Sequence, residues 1–247
     1  PAIAEVDDRY RHVGDALWPA KYPIAELIRR RAGIGEYDFS ALYQGSPAPS
    51  GGGLFREEGF AGRILDEAPA IIRAARGWDT AGTEGGGDAT CGVKIGREFI
   101  VDEKTKRERA TGRFVVLDVK HARLGPDGVD KLIRVPAEID GRACSQREEK
   151  EGGSAGVAVV AARIKTLAGY DYAGVQITGS KVTRSKPCRA QCEAGNVYLL
   201  RGPWNAAYVQ ELCGFPTAKH DDRVDASSCA FNAITEGRMP GDYGVTI

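Results

Sequence analysis

The stretch Ile71-Ile-Arg-Ala-Ala-Arg-Gly-Trp-Asp79-Thr-Ala-Gly-Thr83 runs from a largely apolar strand straight into an aspartate and then into a glycine-rich loop. A carboxylate just past the carboxyl end of a strand sits at the sheet edge where α/β folds bind ligands. Aspartate is also a common turn residue, so Asp79 needs support from the rest of the chain. Downstream, Ala89 to Ile95 reads as a second strand and Arg113-Phe-Val-Val-Leu-Asp-Val-Lys120 as a third. Between them, 99–111 carries Asp102, Glu103, Lys104, Lys106, Arg107, Glu108 and Arg109 and reads as a solvated hairpin. A helix starts at Pro126 and runs to Ile133, and Pro136 should end or kink it. Residues 143–149 make a fourth strand. Ser154 can cap a helix over 155–167 that Gly169 closes. Val175-Gln-Ile-Thr178 and Val197-Tyr-Leu-Leu200 are two further strands, and the last long helix starts near Asp221. Three successive strands followed by strands alternating with helices predict an α/β fold, a mixed sheet covered by helices.

Upstream of this pattern, residues 1–45 show helical periodicity, clearest in Ile24-Ala-Glu-Leu-Ile-Arg-Arg-Arg31, where Ile24, Leu27 and Ile28 share one face. Ser46-Pro-Ala-Pro-Ser-Gly-Gly-Gly-Leu54 has loop composition. Residues 1–60 therefore read as a lead-in segment and 61–247 as the main domain. A chain opening on Pro1 without Met suggests a fragment whose upstream domain is missing.

Composition narrows the function classes. The 34 basic and 34 acidic side chains of the 247 residues cancel, which argues against a polycation that binds nucleic acid by bulk charge. With 42% apolar and 28% charged residues the chain can bury a core, and 32 glycines predict many tight turns. No apolar run reaches the roughly 18 residues of a membrane span. Six scattered cysteines are too few for a disulfide scaffold, and Pro1-Ala-Ile-Ala-Glu-Val-Asp-Asp8 lacks the basic and apolar parts of a signal peptide. A reducing cytoplasm is the expectation.

Three acidic groups carry the candidate chemistry. Asp79 is the first. Glu148-Glu-Lys-Glu151, followed by Gly152-Gly-Ser-Ala-Gly156 and a helix, is the second. The third is His220-Asp-Asp-Arg-Val-Asp-Ala226, in which Asp222 and Asp225 are three apart and share one helical face. Capping and the helix dipole can account for an aspartate at a helix start, with Asp221 the natural cap. Three aspartates exceed what capping needs, and like charges on one face favour a bound cation. Together the groups suggest hard oxygen ligands for Mg²⁺ or Mn²⁺. Two such ions can support phosphodiester cleavage.

A set of short motifs extends the reading. Phe39-Ser-Ala-Leu-Tyr-Gln-Gly-Ser-Pro47, Gly53-Leu-Phe-Arg56, Arg76-Gly-Trp-Asp-Thr-Ala-Gly-Thr83, Glu149-Lys-Glu-Gly-Gly-Ser-Ala-Gly156, Gly179-Ser-Lys-Val-Thr-Arg184, Gly195-Asn-Val197 and His220-Asp-Asp-Arg-Val-Asp-Ala226 occur in this order. In that order they resemble the C-terminal nuclease part of the large terminase subunit of tailed bacteriophages, a relative of RNase H and RuvC-like nucleases. The resemblance spans about residues 38 to 235. It implies an RNase H-like mixed central β-sheet flanked by helices, and a two-metal-ion endodeoxyribonuclease that cuts concatemeric viral double-stranded DNA during genome packaging. By the same resemblance Asp79, Glu149, Asp222 and Asp225 are the catalytic metal ligands, with Asp221 behind them or capping. Lys181 and Arg184 match the family's Lys-x-x-Arg and become the DNA contacts. A one-residue slip between Glu148 and Glu149 would turn the acid to the other face, and the glycine turn selects Glu149. The implied partners are DNA, the portal protein, the small terminase subunit and an ATPase domain of the same polypeptide, in the host cytoplasm. Two rival readings remain: a junction resolvase of the same fold, and a non-catalytic docking module of the packaging motor with a vestigial acidic site.

Other motifs fall short. Gly174-Val-Gln-Ile-Thr-Gly-Ser-Lys181 has its lysine one residue late for a phosphate loop. Cys188 and Cys192 lack the second Cys/His pair of a zinc site. His220 could act as a base or make a local hydrogen bond. Trp204 and Phe215 read as core. Between 161 and 201, Arg163, Lys165, Lys181, Arg184, Lys186, Arg189 and Arg201 outnumber Asp171 and Glu193, a segregation that could track a phosphate backbone.

Overall fold

In a computed structural model, residues 1–4, 6–45, 53–81, 89–150, 154–216 and 218–235 are described. The stretch around Trp78 forms β2 (Ile71–Asp79) near the middle of a seven-stranded sheet. Its companions are β1 (Ile64–Leu65), β3 (Thr90–Val101), β4 (Glu108–Ala122), β5 (Cys144–Lys150), β6 (Tyr172–Gln176) and β7 (Val197–Leu200). The order across the sheet is β1-β7-β4-β3-β2-β5-β6. β2, β3 and β4 run as an antiparallel meander, whereas β5 joins β2 and β6 in parallel, and β7 joins β4 and β1 in parallel. This is the mixed sheet that the strand order predicted.

Helices cover both faces. α5 (Lys181–Glu193), α6 (Asn205–Gly214) and α7 (Asp222–Thr235) enclose the larger core with the sheet, using Val93, Ile95, Phe114, Val116, Cys188, Tyr208, Leu212 and Phe231. α3 (Pro126–Asp140) and α4 (Ser154–Thr166) lie over the other face, where Trp78, Val129, Ile133, Ala137, Leu167 and Tyr172 form a smaller core. The N-terminal segment contains α1 (Ile24–Ile34), the single turn α2 (Glu36–Phe39) and a π-helical turn at Ser40–Gln44, with its own cluster of Ile3, Ala16, Leu27 and Phe39. Asp38 ties it to α5 through Lys186 and Arg189, each at 3.1 Å. Leu54, Phe55 and Phe60 belong to the main core. Phe215 is buried there and Trp204 packs against it, as expected.

Several boundaries differ from the sequence reading for identifiable reasons. The charged segment 99–111 forms the expected hairpin, but its arms continue β3 and β4, with Phe99, Ile100 and Val101 paired to Ala110, Arg109 and Glu108. Ladder bonds need no buried side chains, so polar composition does not stop a strand, and the Asp102 carboxylate closes the turn by accepting from the Thr105 N–H at 2.7 Å. α3 runs through Pro136 to Asp140. Proline there forfeits one backbone bond, but its ring is buried with Val129, Ile133 and Ala137 along one face. Among the described residues of 1–45, the α-helical ones are Ile24–Ile34 and the single turn Glu36–Phe39, and of the apolar face of α1 Leu27 is buried while Ile28 stays exposed. Helices α5 and α6 were not predicted. The buried side chains of α5 are Ser185, Cys188, Arg189 and Cys192, which have helical spacing but not the aliphatic character that flags a core face. Among the described residues, no helix is long and apolar enough to cross a membrane.

Candidate active site

The parallel pairing of β2 with β5 aligns Trp78 with Glu148, and side chains alternate along each strand. Trp78 and Glu148 therefore face α3 and α4, and the next residue of each strand, Asp79 and Glu149, faces α7. Gly77 makes the close approach of α7 possible. A Cβ there would stand 2.2 Å from the Ala226 carbonyl oxygen and 2.4 Å from the Ala230 nitrogen. With its backbone laid directly on β2, α7 delivers Asp222 and Asp225 of its first turns to the same sheet edge, both almost fully buried.

The four predicted acids thus act on one another. Burial first, and then the charges of Asp225, Glu149 and Asp222, push the Asp79 carboxyl up to about 8 against the pull of Lys181. Burial also lifts Glu149 to about 7, aided by Asp225 and opposed by Arg184 and Lys181. Asp225 is raised by burial against the pull of Lys181 and Arg184. Asp222 differs: burial opposes its ionisation, but contact with His121 and the Ala89 N–H outweighs this and holds it low. The His121 Nε2 lies 3.3 Å from the Asp222 carboxylate. Nothing in the sequence around His121, at the end of β4, marks it as a site residue, because only the sheet and α7 bring positions 101 residues apart together.

Lys181 and Arg184, read from sequence as DNA contacts, sit on the carboxylates. Lys181 Nζ donates to Asp221 at 2.7 Å and lies 2.8 Å from Asp225. Arg184 Nη2 donates to the other Asp225 oxygen at 2.8 Å and to Glu149 at 3.2 Å. Both cations extend from the first turn of α5, which Ser180 caps by accepting from the Thr183 N–H. Most of the rest of the basic stretch is similarly engaged: Arg163 pairs with Glu148 and Asp130, Lys186 and Arg189 with Asp38, and Arg201 with Asp66. The stretch is therefore not a continuous bare basic face. Asp221 precedes α7 and its carbonyl accepts from the Val224 and Asp225 N–H groups, while its side chain serves Lys181.

Glu148 goes elsewhere. It is 1% exposed and accepts from Thr80 at 3.0 Å and from Arg163 and Tyr172. Glu151 and Gly152–Gly153, the remainder of the predicted acidic cluster and part of its turn, lie outside the described residues. Cys188 and Cys192 are free and buried in the main core. His220 has its Nδ1 buried without a hydrogen-bond partner among the described residues.

The donor chemistry suits a hard divalent cation. Four carboxylates share one buried edge, and two hold their protons up to near-neutral pH because of burial first and the charge of Asp225 next, a cost that a cation would relieve. Among the described residues, no three His, Cys, Asp or Glu side chains converge into a ready ligand set. Both oxygens of Asp225 are instead held by Lys181 and Arg184.

A family model described as the terminase RNaseH-like domain matches residues 76–233, a range that contains all four acids. The fold is similar to that of the large terminase from a thermophilic bacteriophage in complex with ADP, at 9% identity and a TM-score of 0.58 over 86% of this chain. The match covers 52% of that protein, so the chain spans about half its length. It is also similar to the large terminase nuclease from thermophilic phage G20c with bound magnesium, at 15% identity and a TM-score of 0.50, over 74% of this chain and 98% of that one. No curated protein sequence matches.

Proposed function

The chain belongs to the terminase RNaseH-like domain family, and from that premise we propose that it is a divalent-metal-dependent endonuclease that cuts concatemeric viral double-stranded DNA during packaging. The observation that carries this reading is the convergence of Asp79, Glu149, Asp222 and Asp225 on one sheet edge beneath α7, where burial and the charges of the other three push the Asp79 carboxyl up to about 8. A fold gains nothing in stability from concentrating like charges at a buried sheet edge; a site that binds cations does. The G20c nuclease, of the same fold, holds magnesium.

Asp79, Glu149, Asp222 and Asp225 would hold two ions, Mg²⁺ or Mn²⁺. Bound there, the ions supply Lewis acidity for hydrolysis of a phosphodiester. The chain's own residues do the rest. Asp79 feels the charges of Asp225, Glu149 and Asp222 together, so it would contribute to the same cation site as all three. His121 keeps Asp222 ionised and fixes its orientation. Lys181, with about half of its side chain exposed, lies beside the cluster where a phosphate would approach, and Arg184 lies deeper. Released from Asp225, both would be available for a DNA phosphate. In this reading residues 61–247 are the nuclease domain and 1–60 lead in from an ATPase domain of the same polypeptide. The portal and small terminase subunit are partners, and the host cytoplasm is the place of action.

Plasmid digestion in Mg²⁺, Mn²⁺ and EDTA, wild type beside Asp79→Ala, tests the proposal. Cleavage should require the metal and Asp79. Full Mg²⁺-dependent activity in Asp79→Ala would refute it.

A further inference from the structure

We propose that Thr80 and Glu148 are positioning residues which, with Trp78 and Gln146, form a side-chain clamp behind the sheet that sets the spacing of Asp79 and Glu149. The inference rests on the nuclease reading above. Trp78 Nε1 donates to Gln146 Oε1 at 2.9 Å, and Thr80 Oγ1 donates to Glu148 Oε1 at 3.0 Å. Both rungs join residues 68 apart in the chain, so the two enforce one register of β2 against β5 and a one-residue slip breaks both. Asp79, the last residue of β2, stands between the anchored Trp78 and the anchored Thr80, and Glu149 follows the anchored Glu148. Alternation sends the anchors to the α3 and α4 face and the acids to the α7 face.

The outer rung matters most. Pairing of β2 with β5 ends at Trp78 and Glu148, and Thr80 lies beyond the last residue of β2. The Thr80 hydroxyl therefore holds the chain just past Asp79 where the pairing no longer does. Glu148 is a fixed point for it, because the same carboxylate accepts from Arg163 of α4 and Tyr172 of β6, and Arg163 continues to Asp130 of α3 at 2.8 Å. A buried carboxylate with three donors has little freedom to turn. Groups behind metal ligands commonly contribute by orienting them.

Three variants test the clamp, each followed by calorimetric Mn²⁺ titration, thermal melting and the Mn²⁺ dependence of plasmid cleavage. Thr80→Val removes the hydroxyl at nearly constant volume; it should weaken Mn²⁺ binding about tenfold, a typical loss for a group behind the ligands. Its half-saturating Mn²⁺ concentration for cleavage should rise in parallel. Thr80→Ser restores the hydroxyl and should restore both. Glu148→Gln strips Arg163 of its buried charge partner, leaving it Asp130, but keeps an acceptor for Thr80, so it should melt earlier while keeping Mn²⁺ affinity within about twofold of wild type. Wild-type affinity in Thr80→Val, or failure of Thr80→Ser to restore it, would overturn the inference. So would affinities that simply follow melting temperature across the three variants. A wild-type protein that takes up no Mn²⁺ would instead bring down the nuclease reading itself.

Discussion

Replacing Asp79 with asparagine should stabilise the metal-free protein at pH 8.5 while abolishing cleavage. In the folded chain burial and the neighbouring acids raise this carboxyl from its ordinary 3.8 to about 8. Between those two values the folded state keeps a proton that the unfolded chain has released, so stability contributed at this site is complete below about pH 4 and is lost as pH rises through 8. At about 1.4 kcal/mol per pH unit the full span corresponds to an upper bound of about 6 kcal/mol. Asparagine still buries a polar group and loses the attraction of Lys181, so the expected gain at pH 8.5 is about 2 kcal/mol, shrinking toward zero near pH 4. For a chain of this size that is a rise of about 4–8 °C in melting temperature. Urea and thermal melts in EDTA at pH 5 and 8.5 measure it, with Asp79→Asn beside wild type. Equal or lower stability of the variant at pH 8.5, or a difference that does not change with pH, would refute the claim that this edge is a repulsive acidic cluster. Adding Mn²⁺ at pH 8.5 should then raise the wild-type melting temperature well above its effect on Asp79→Asn.

Lys181→Met should change two affinities in opposite directions: Mn²⁺ should bind a few-fold more tightly, because Asp225 loses a competing partner, and DNA should bind more weakly in a mobility-shift assay at low salt. Glu149→Gln should lose cleavage by at least about a hundredfold with little loss of stability near pH 7, since its carboxyl is already lifted to about 7. His121→Ala should leave the fold intact and release the hold on Asp222, so that the pH below which Mn²⁺ uptake fails moves upward; unchanged pH dependence in calorimetry would contradict that role. Wild-type protein should cut linear duplex DNA at least as fast as four-way junctions, and a strong junction preference would favour a resolvase.

Much of the site is legible in the primary structure because the signals are local. Asp79 is marked by the strand running into it, and Asp222 and Asp225 by three-residue spacing at a helix start. The four acids and Lys181 and Arg184 do come to one edge. The helix that carries Lys181 and Arg184 escaped detection because its buried face is built of Ser185, Cys188, Arg189 and Cys192. Pro136 was misleading because tertiary burial of its ring outweighs a local rule. The basic stretch of 161–201 suggested a free cationic track, but its partners Asp38, Asp66, Asp130, Glu148, Glu149 and Asp225 are distant in sequence and invisible to a local count.

By itself the sequence determined the class of fold and the residue types at the candidate site, since the strand order follows from periodicity and the motif order from the chain. The glycine turn favoured Glu149 over Glu148, but the tertiary structure supplies the physical reason that Glu149 joins Asp79. Neighbouring residues of a strand are chemically alike here, and their opposite faces acquire meaning only when β5 pairs in register with β2 and α7 comes down on Gly77. The zero net charge resolves in the same way. It is a sum over ion pairs that folding assembles, with the cations of α5 set directly against the acids of β5 and α7.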